Sequence, residues 1–163
     1  IQMIKAAVAT ASLAALAFTA TAAEAATANA TARAKILRQV TLTNTSDLEF
    51  GTIVTGAAAS TVDVSTSGAR TCGAGLVCSG TTTAANFNIG GTATQTVNVV
   101  VPASVSLSNG SATMNVALTS TATSVVMNSS NAGSIQVGGT LSVAANQADG
   151  DYSGTFTLTA DYQ

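Results

Sequence analysis

Cys72 and Cys78 are the residues whose type and spacing limit their chemistry most tightly. They bound the run Cys72-Gly73-Ala74-Gly75-Leu76-Val77-Cys78, which is too wide for a Cys-x-x-Cys redox pair. With no further Cys and no His in the chain, a four-ligand zinc site has nothing to complete it. In an exported chain the pair reads as a structural disulfide, and its short loop places its contribution near the low end of the ~0 to 5 kcal/mol range. Ser and Thr are abundant, but a nucleophile needs an activating base, and without His that base would have to be Lys35 or a carboxylate. No catalytic, cofactor-binding or metal-ligating residue is assigned, and no enzyme or small-molecule substrate is expected.

Composition narrows the choice further. Charged residues make up 7 % of the chain, against about 25 % in ordinary globular domains. Five Lys and Arg against seven Asp and Glu, a net charge of −2, cannot build the basic surface that holds a phosphate backbone, which excludes nucleic-acid binding. What remains is a neutral chain rich in Ala, Thr, Ser, Val, Gly and Asn, suited to packing and to pairing its backbone.

The elements follow from that composition. Lys5, an apolar run over residues 6–20 and the small-residue pattern Ala23-Glu24-Ala25 together read as a secretory signal peptide over residues 1–25, with Met3 as the expected start and cleavage after Ala25. The implied route is export from the cell. Beyond residue 35 the chain alternates with period 2 between turn residues. Strands are expected over residues 36–43, 48–54, 61–64, 85–89, 94–101, 105–107, 112–119, 134–137, 140–143 and 152–162. Gly51 is expected to switch the inward side as a bulge does, Asn109-Gly110 to close a hairpin, and Pro102 to lie at an edge or a strand end. The implied fold is an all-β sandwich with Greek-key connections. Its side chains are small and bury little area each, so stability must rest on completed ladders.

Two segments stand out. In residues 26–34, Ala26, Ala28, Ala30, Ala32 and Ala34 alternate with Thr27, Asn29, Thr31 and Arg33, so an extended strand would have one face entirely of Ala. A low-complexity linker is the competing reading, because Ala favours helix over strand. Near the C-terminus, Phe156, Leu158, Ala160 and Tyr162 alternate with Thr155, Thr157, Thr159 and Asp161.

The stretch Leu48-Glu49-Phe50-Gly51-Thr52-Ile53-Val54, the Gly138-Gly139-Thr140-Leu141 turn and strand, and the ending Gly150-Asp151-Tyr152-Ser153-Gly154-Thr155-Phe156 resemble an exported bacterial domain family of unknown function. That family is itself similar to spore-coat-U-type and chaperone-usher pilin subunits. The resemblance implies an immunoglobulin-like Greek-key sandwich that lacks its final strand and is completed by a donor strand from a neighbouring subunit. Residues 35–163 would be the pilin-like domain and residues 26–34 the N-terminal donor extension, with Ala26, Ala28, Ala30, Ala32 and Ala34 entering the groove. Phe156, Leu158, Ala160 and Tyr162 would form the strand bordering that groove. The implied function is a structural subunit of an extracellular fibre, a homopolymer delivered by a periplasmic chaperone and an outer-membrane usher. This chain departs from the pattern in carrying Ala where such extensions carry larger apolar residues. The alternative is a self-complemented, monomeric secreted sandwich that binds a surface or a carbohydrate. Arg33, Lys35 and Arg38 at one end and Asp149, Asp151 and Asp161 at the other would favour head-to-tail encounter.

Overall fold

The computed structural model describes residues 24–163. The expected signal peptide lies outside the described residues except for its last two positions. The chain divides into two units, Ile1–Ala34 and Lys35–Gln163. In the first, residues 24–34 are exposed and carry no strand.

The second unit is all-β, with antiparallel sheets and no helix among the described residues. Its backbone is β11 (Ala132–Val143). One edge of β11 pairs first with β6 (Ala85–Gly90), bringing Ile135 opposite Phe87, and then with β3 (Ser60–Val64), bringing Leu141 opposite Val62. The other edge pairs with β9 (Thr113–Ser120), so Gly139 is opposite both Val64 and Leu118. Around this axis, β1 (Thr41–Ser46) pairs with β6, β4 (Arg70–Cys72) with β3, and β8 (Ser104–Ser108) with β9. A second sheet runs β10 (Ser124–Val126), β7 (Thr96–Val100), β12 (Thr159–Tyr162), and a two-stranded ribbon joins β2 (Thr52–Val54) to β5 (Val77–Ser79). Two apolar clusters fill the interior. One is centred on Ile89, Val97, Met127, Ile135 and Val137, the other on Val62, Val64, Val116 and Leu141.

The break expected at Gly138-Gly139 does not occur, because residues 134–137 and 140–143 belong to one continuous strand. These glycines answer to crowding rather than to a turn. A Cβ on Gly138 would stand 2.3 Å from the Val64 carbonyl oxygen, and one on Gly139 would stand 2.7 Å from a Val116 methyl. At Gly51 the reading holds: its φ is +73°, and the reversal lets Phe50 and Ile53 pack on the same cluster although they are three residues apart. Pro102 separates β7 from β8, and Asn109-Gly110 lies in the β8–β9 connection, where the Asn109 side-chain oxygen accepts from the Ser111 and Ala112 N–H groups.

Three expected strands are shorter than their alternation suggests. Residues 36–40 form no ladder, since the Arg38 N–H donates to the Thr92 hydroxyl at 2.8 Å rather than to a strand. Residues 48–51 make one bridge, Glu49 to Thr83, before the chain turns at Gly51. Of residues 152–162 only Thr159–Tyr162 is strand, with an isolated bridge from Ser153 to Ser108. From Val100 to Ser108 the facing chain has two more residues than the run from Ser153 to Thr159. Pro102 lies in that stretch with no N–H to offer, and residues 154–158 make no ladder with it. The three-residue strands β4, β5 and β10 are too short to carry an alternation.

Candidate functional site

Every strand among the described residues has a ladder partner, but β1, β2, β4, β5, β8, β10 and β12 are paired along one edge only, and two of these free edges lie near each other. β1 pairs with β6 along one edge and with nothing along the other. On β12, the Gln163 N–H donates to the Thr96 carbonyl at 3.1 Å. By antiparallel alternation the N–H groups of Asp161 and Thr159 also face β7, while those of Ala160 and Tyr162 face away from it. Residues 154–158 have no ladder on either side.

These two unpaired edges border one space. At one end the Tyr162 hydroxyl donates to the Arg38 carbonyl and accepts from the Thr92 N–H, both at 2.7 Å. Further along, Phe87, the ladder partner of Asn44, meets Phe156 edge-to-face with ring centres 6.2 Å apart. Residues 38–50 and 151–162 therefore run antiparallel, with Arg38 near Tyr162 at one end. At the other end Asp47, Glu49 and Phe50 line the same cavity as Asp151 and Gly154. That cavity has a volume of about 1220 Å³ and includes Leu42, Phe87, Leu107, Met114, Val116 and Leu158 in its lining. It is a trough with apolar side chains on its floor and polar ones along its walls, between β1 and the unpaired residues 154–158.

Both walls are fixed from behind. The Arg70 guanidinium donates to the Phe50 and Ser79 carbonyls, at 3.0 and 2.7 Å. The expected Cys72–Cys78 disulfide is formed, with Cα atoms 6.1 Å apart, and it ties β4 to β5, whose Cys78 is opposite Ile53 of β2. Gly51 is obligatory in this arrangement, as a Cβ there would stand 2.5 Å from both the Arg70 nitrogen and the Ser79 oxygen. On the opposite wall the Asn109 amide donates to the Asp149 carbonyl at 3.1 Å, and the Tyr152 hydroxyl donates to the Ala148 carbonyl at 2.8 Å.

Of the residues singled out in the sequence, Phe156 and Leu158 line the cavity. Ala160 and Tyr162 continue the same edge in β12, packed against the Ile89–Ile135 cluster. Ala26, Ala28, Ala30, Ala32 and Ala34 are exposed and outside any strand. The sequence reading missed Asp47 and Glu49, which line the cavity together with Asp149 and Asp151, while Asp161 sits in β12 opposite Asn98 and does not. No local signal marks Asp47 or Glu49, because what groups them with Asp149 and Asp151 is an antiparallel approach of segments a hundred residues apart.

Residues 40–162 match the family described as Domain of unknown function (DUF4402). The chain belongs to that family. The DUF4402 match spans both walls of the trough. No curated protein and no solved structure matches the chain.

A second depression, of about 550 Å³, has a different character. Ser46, Asn86 and Gln136 are cross-strand neighbours on β1, β6 and β11, and Thr121 follows beside Gln136, whose N–H donates to the Thr121 hydroxyl at 3.2 Å. The Asn86 amide donates to the Ser46 hydroxyl at 2.7 Å. The lining is hydroxyl and amide with no charged group.

Proposed function

We propose that this protein is a structural subunit of an extracellular bacterial fibre, built head-to-tail by insertion of one subunit's N-terminal extension into the trough of the next. The observation that carries the reading is the trough between the outer edge of β1 and the unpaired residues 154–158. An edge with free N–H and C=O groups is a template for strand addition, and in a sheet protein of small side chains two such edges over an apolar floor are a costly arrangement to leave unfilled. Viewed this way the domain is an immunoglobulin-like Greek-key sandwich short of one strand. The donor is the segment from Ala26 to Ala34, which has nine residues and spans about 30 Å when extended. Its Ala face lies on the trough floor and its backbone completes both ladders. Because the tail of one unit and the trough of another are different surfaces, the contact is heterologous and propagates as an open filament. The likeness to chaperone-usher subunits supplies the rest of the proposal: secretion through the periplasm, delivery by a chaperone and an outer-membrane usher, and a role without catalysis.

Expression of residues 26–163 beside a chain starting at Ile36, followed by size analysis, tests this. A polymer from the first and an unstable or aggregating product from the second supports strand exchange. Two equally soluble monomers overturn it.

The second reading, a monomeric module that binds a neutral carbohydrate, is favoured by the row Ser46, Asn86, Gln136 and Thr121, whose uncharged donors and acceptors suit sugar hydroxyls. Shifts in the backbone amide resonances of Asn86 and Gln136 on adding millimolar neutral oligosaccharide to a chain that stays monomeric would support that reading over the fibre.

A further inference from the structure

Four of the seven carboxylates of the chain, Asp47, Glu49, Asp149 and Asp151, line the trough, whereas no described Lys or Arg does. The nearest cation on the wall is Arg70, and its guanidinium is turned to the Phe50 and Ser79 carbonyls. All four carboxylates belong to exposed residues, so they form a rim rather than part of the floor. They also gather toward one end. The antiparallel approach of the two walls puts Arg38 beside Tyr162 at the far end, the Phe87–Phe156 contact midway, and the segments holding Asp47, Glu49 and Asp151 beyond it.

The occupant proposed above carries the opposite charge at one end only. Residues 26–32 hold no charge, and the cations Arg33 and Lys35 follow at its C-terminal root. Both fall on the odd positions of the alternation, the face opposite the Ala residues. A strand with its Ala face on the floor holds Arg33 and Lys35 outward, at the level of the rim. Lys35 already donates to the Gln95 side chain of its own body, which leaves Arg33 as the principal partner. Ile36 is in phase with the Ala face and 92 % exposed, so the strand's apolar side extends through the same root.

Resting on the strand-exchange reading, we infer that the carboxylate rim selects the incoming segment of a second copy by charge and fixes its orientation. Arg33 comes to the Asp47, Glu49, Asp149 and Asp151 end, and residue 26 points toward Tyr162. The inserted strand then runs antiparallel to residues 151–162. Exposed ion pairs add little affinity one at a time, so the effect falls on the rate of encounter and on the choice of register.

The test is polymerisation of the full chain, followed by light scattering at about 0.01 M and about 1 M salt, where the screening length is roughly 30 Å and 3 Å. The combined substitution Asp47→Asn, Glu49→Gln, Asp149→Asn and Asp151→Asn is expected to slow assembly about tenfold at low salt, the lower end of electrostatic steering, and to match the unaltered chain at high salt. Arg33→Glu, in a segment outside every strand, should do the same without touching the folded domain. Arg33→Glu combined with Asp151→Lys should recover most of the lost rate. Unchanged low-salt rates in both the rim variant and Arg33→Glu would overturn the charge selection while leaving strand exchange standing, whereas an unaltered chain that forms no polymer at either salt overturns strand exchange itself. Orientation is read separately. Arg33→Cys should cross-link between subunits to Asp151→Cys and not to Asp161→Cys, and the reverse pattern overturns the assignment.

Discussion

The middle of β11 and the outer edge of β1 are both antiparallel β-structure made from the same small residues, yet they are in opposite states. At Val137 and from Gly139 to Leu141, β11 is paired on both edges, and Ile135, Val137, Val62 and Val116 are fully buried. Along the trough, β1 and residues 154–158 each keep unpaired backbone beside Leu107, Met114 and Phe156, which are only half-buried. Completed ladders are therefore concentrated along one axis of the molecule, and unpaired backbone along another. The axis through β11 can hold the domain together because its ladders are complete. The ladders along the trough are not complete.

The largest way to sharpen this contrast is to remove the same bulk from each side. Ile135→Ala should cost the isolated chain about 3 to 4 kcal/mol, as expected of a fully buried aliphatic side chain. Leu107→Ala, half-exposed at the trough, should cost under about 1.5 kcal/mol in the monomer and more once the trough is filled. Urea unfolding of monomeric and assembled material measures both, and equal losses in the monomer would break the contrast. Somewhat smaller is Gly138→Ala. The added methyl would be placed 2.3 Å from the Val64 oxygen, where both neighbouring strands are held by ladders, and an overpacking loss of about 3 kcal/mol is expected by thermal melting. The gentlest probe perturbs nothing. In monomer, the amides of Ala160 and Tyr162 should exchange with solvent much faster than those of Asp161 and Gln163, whose N–H groups face β7, and the difference should vanish on assembly. Equal protection of the four amides in the monomer would show that the outer edge of β12 is already occupied.

The particular elements divide according to how far apart their causes lie in the chain. Alternation alone located β3, β6, β8 and β9 to within about two residues, since each shows one face to a core and one to solvent over five or more positions. It failed where a partner, rather than the strand itself, decides the ladder. Residues 154–158 alternate as well as any strand, yet the facing run from Val100 to Ser108 is two residues longer and they pair with none of it. Gly138-Gly139 has the composition of a turn but is held in a strand by its ladders, and its glycines are there because Val64 and Val116 leave no room for a side chain.

By itself the sequence determined the all-β class, the disulfide between Cys72 and Cys78, and the family to which residues 40–162 belong, because periodicity, short cysteine spacing and local motifs are properties of neighbouring residues. Only the tertiary structure decided that the free edge of β1 and the unpaired residues 154–158 share one trough, and that Asp47 and Glu49 join Asp149 and Asp151 along its rim. Those facts depend on how an early and a late segment approach each other across the sheet, and no local pattern encodes the distance between strands a hundred residues apart.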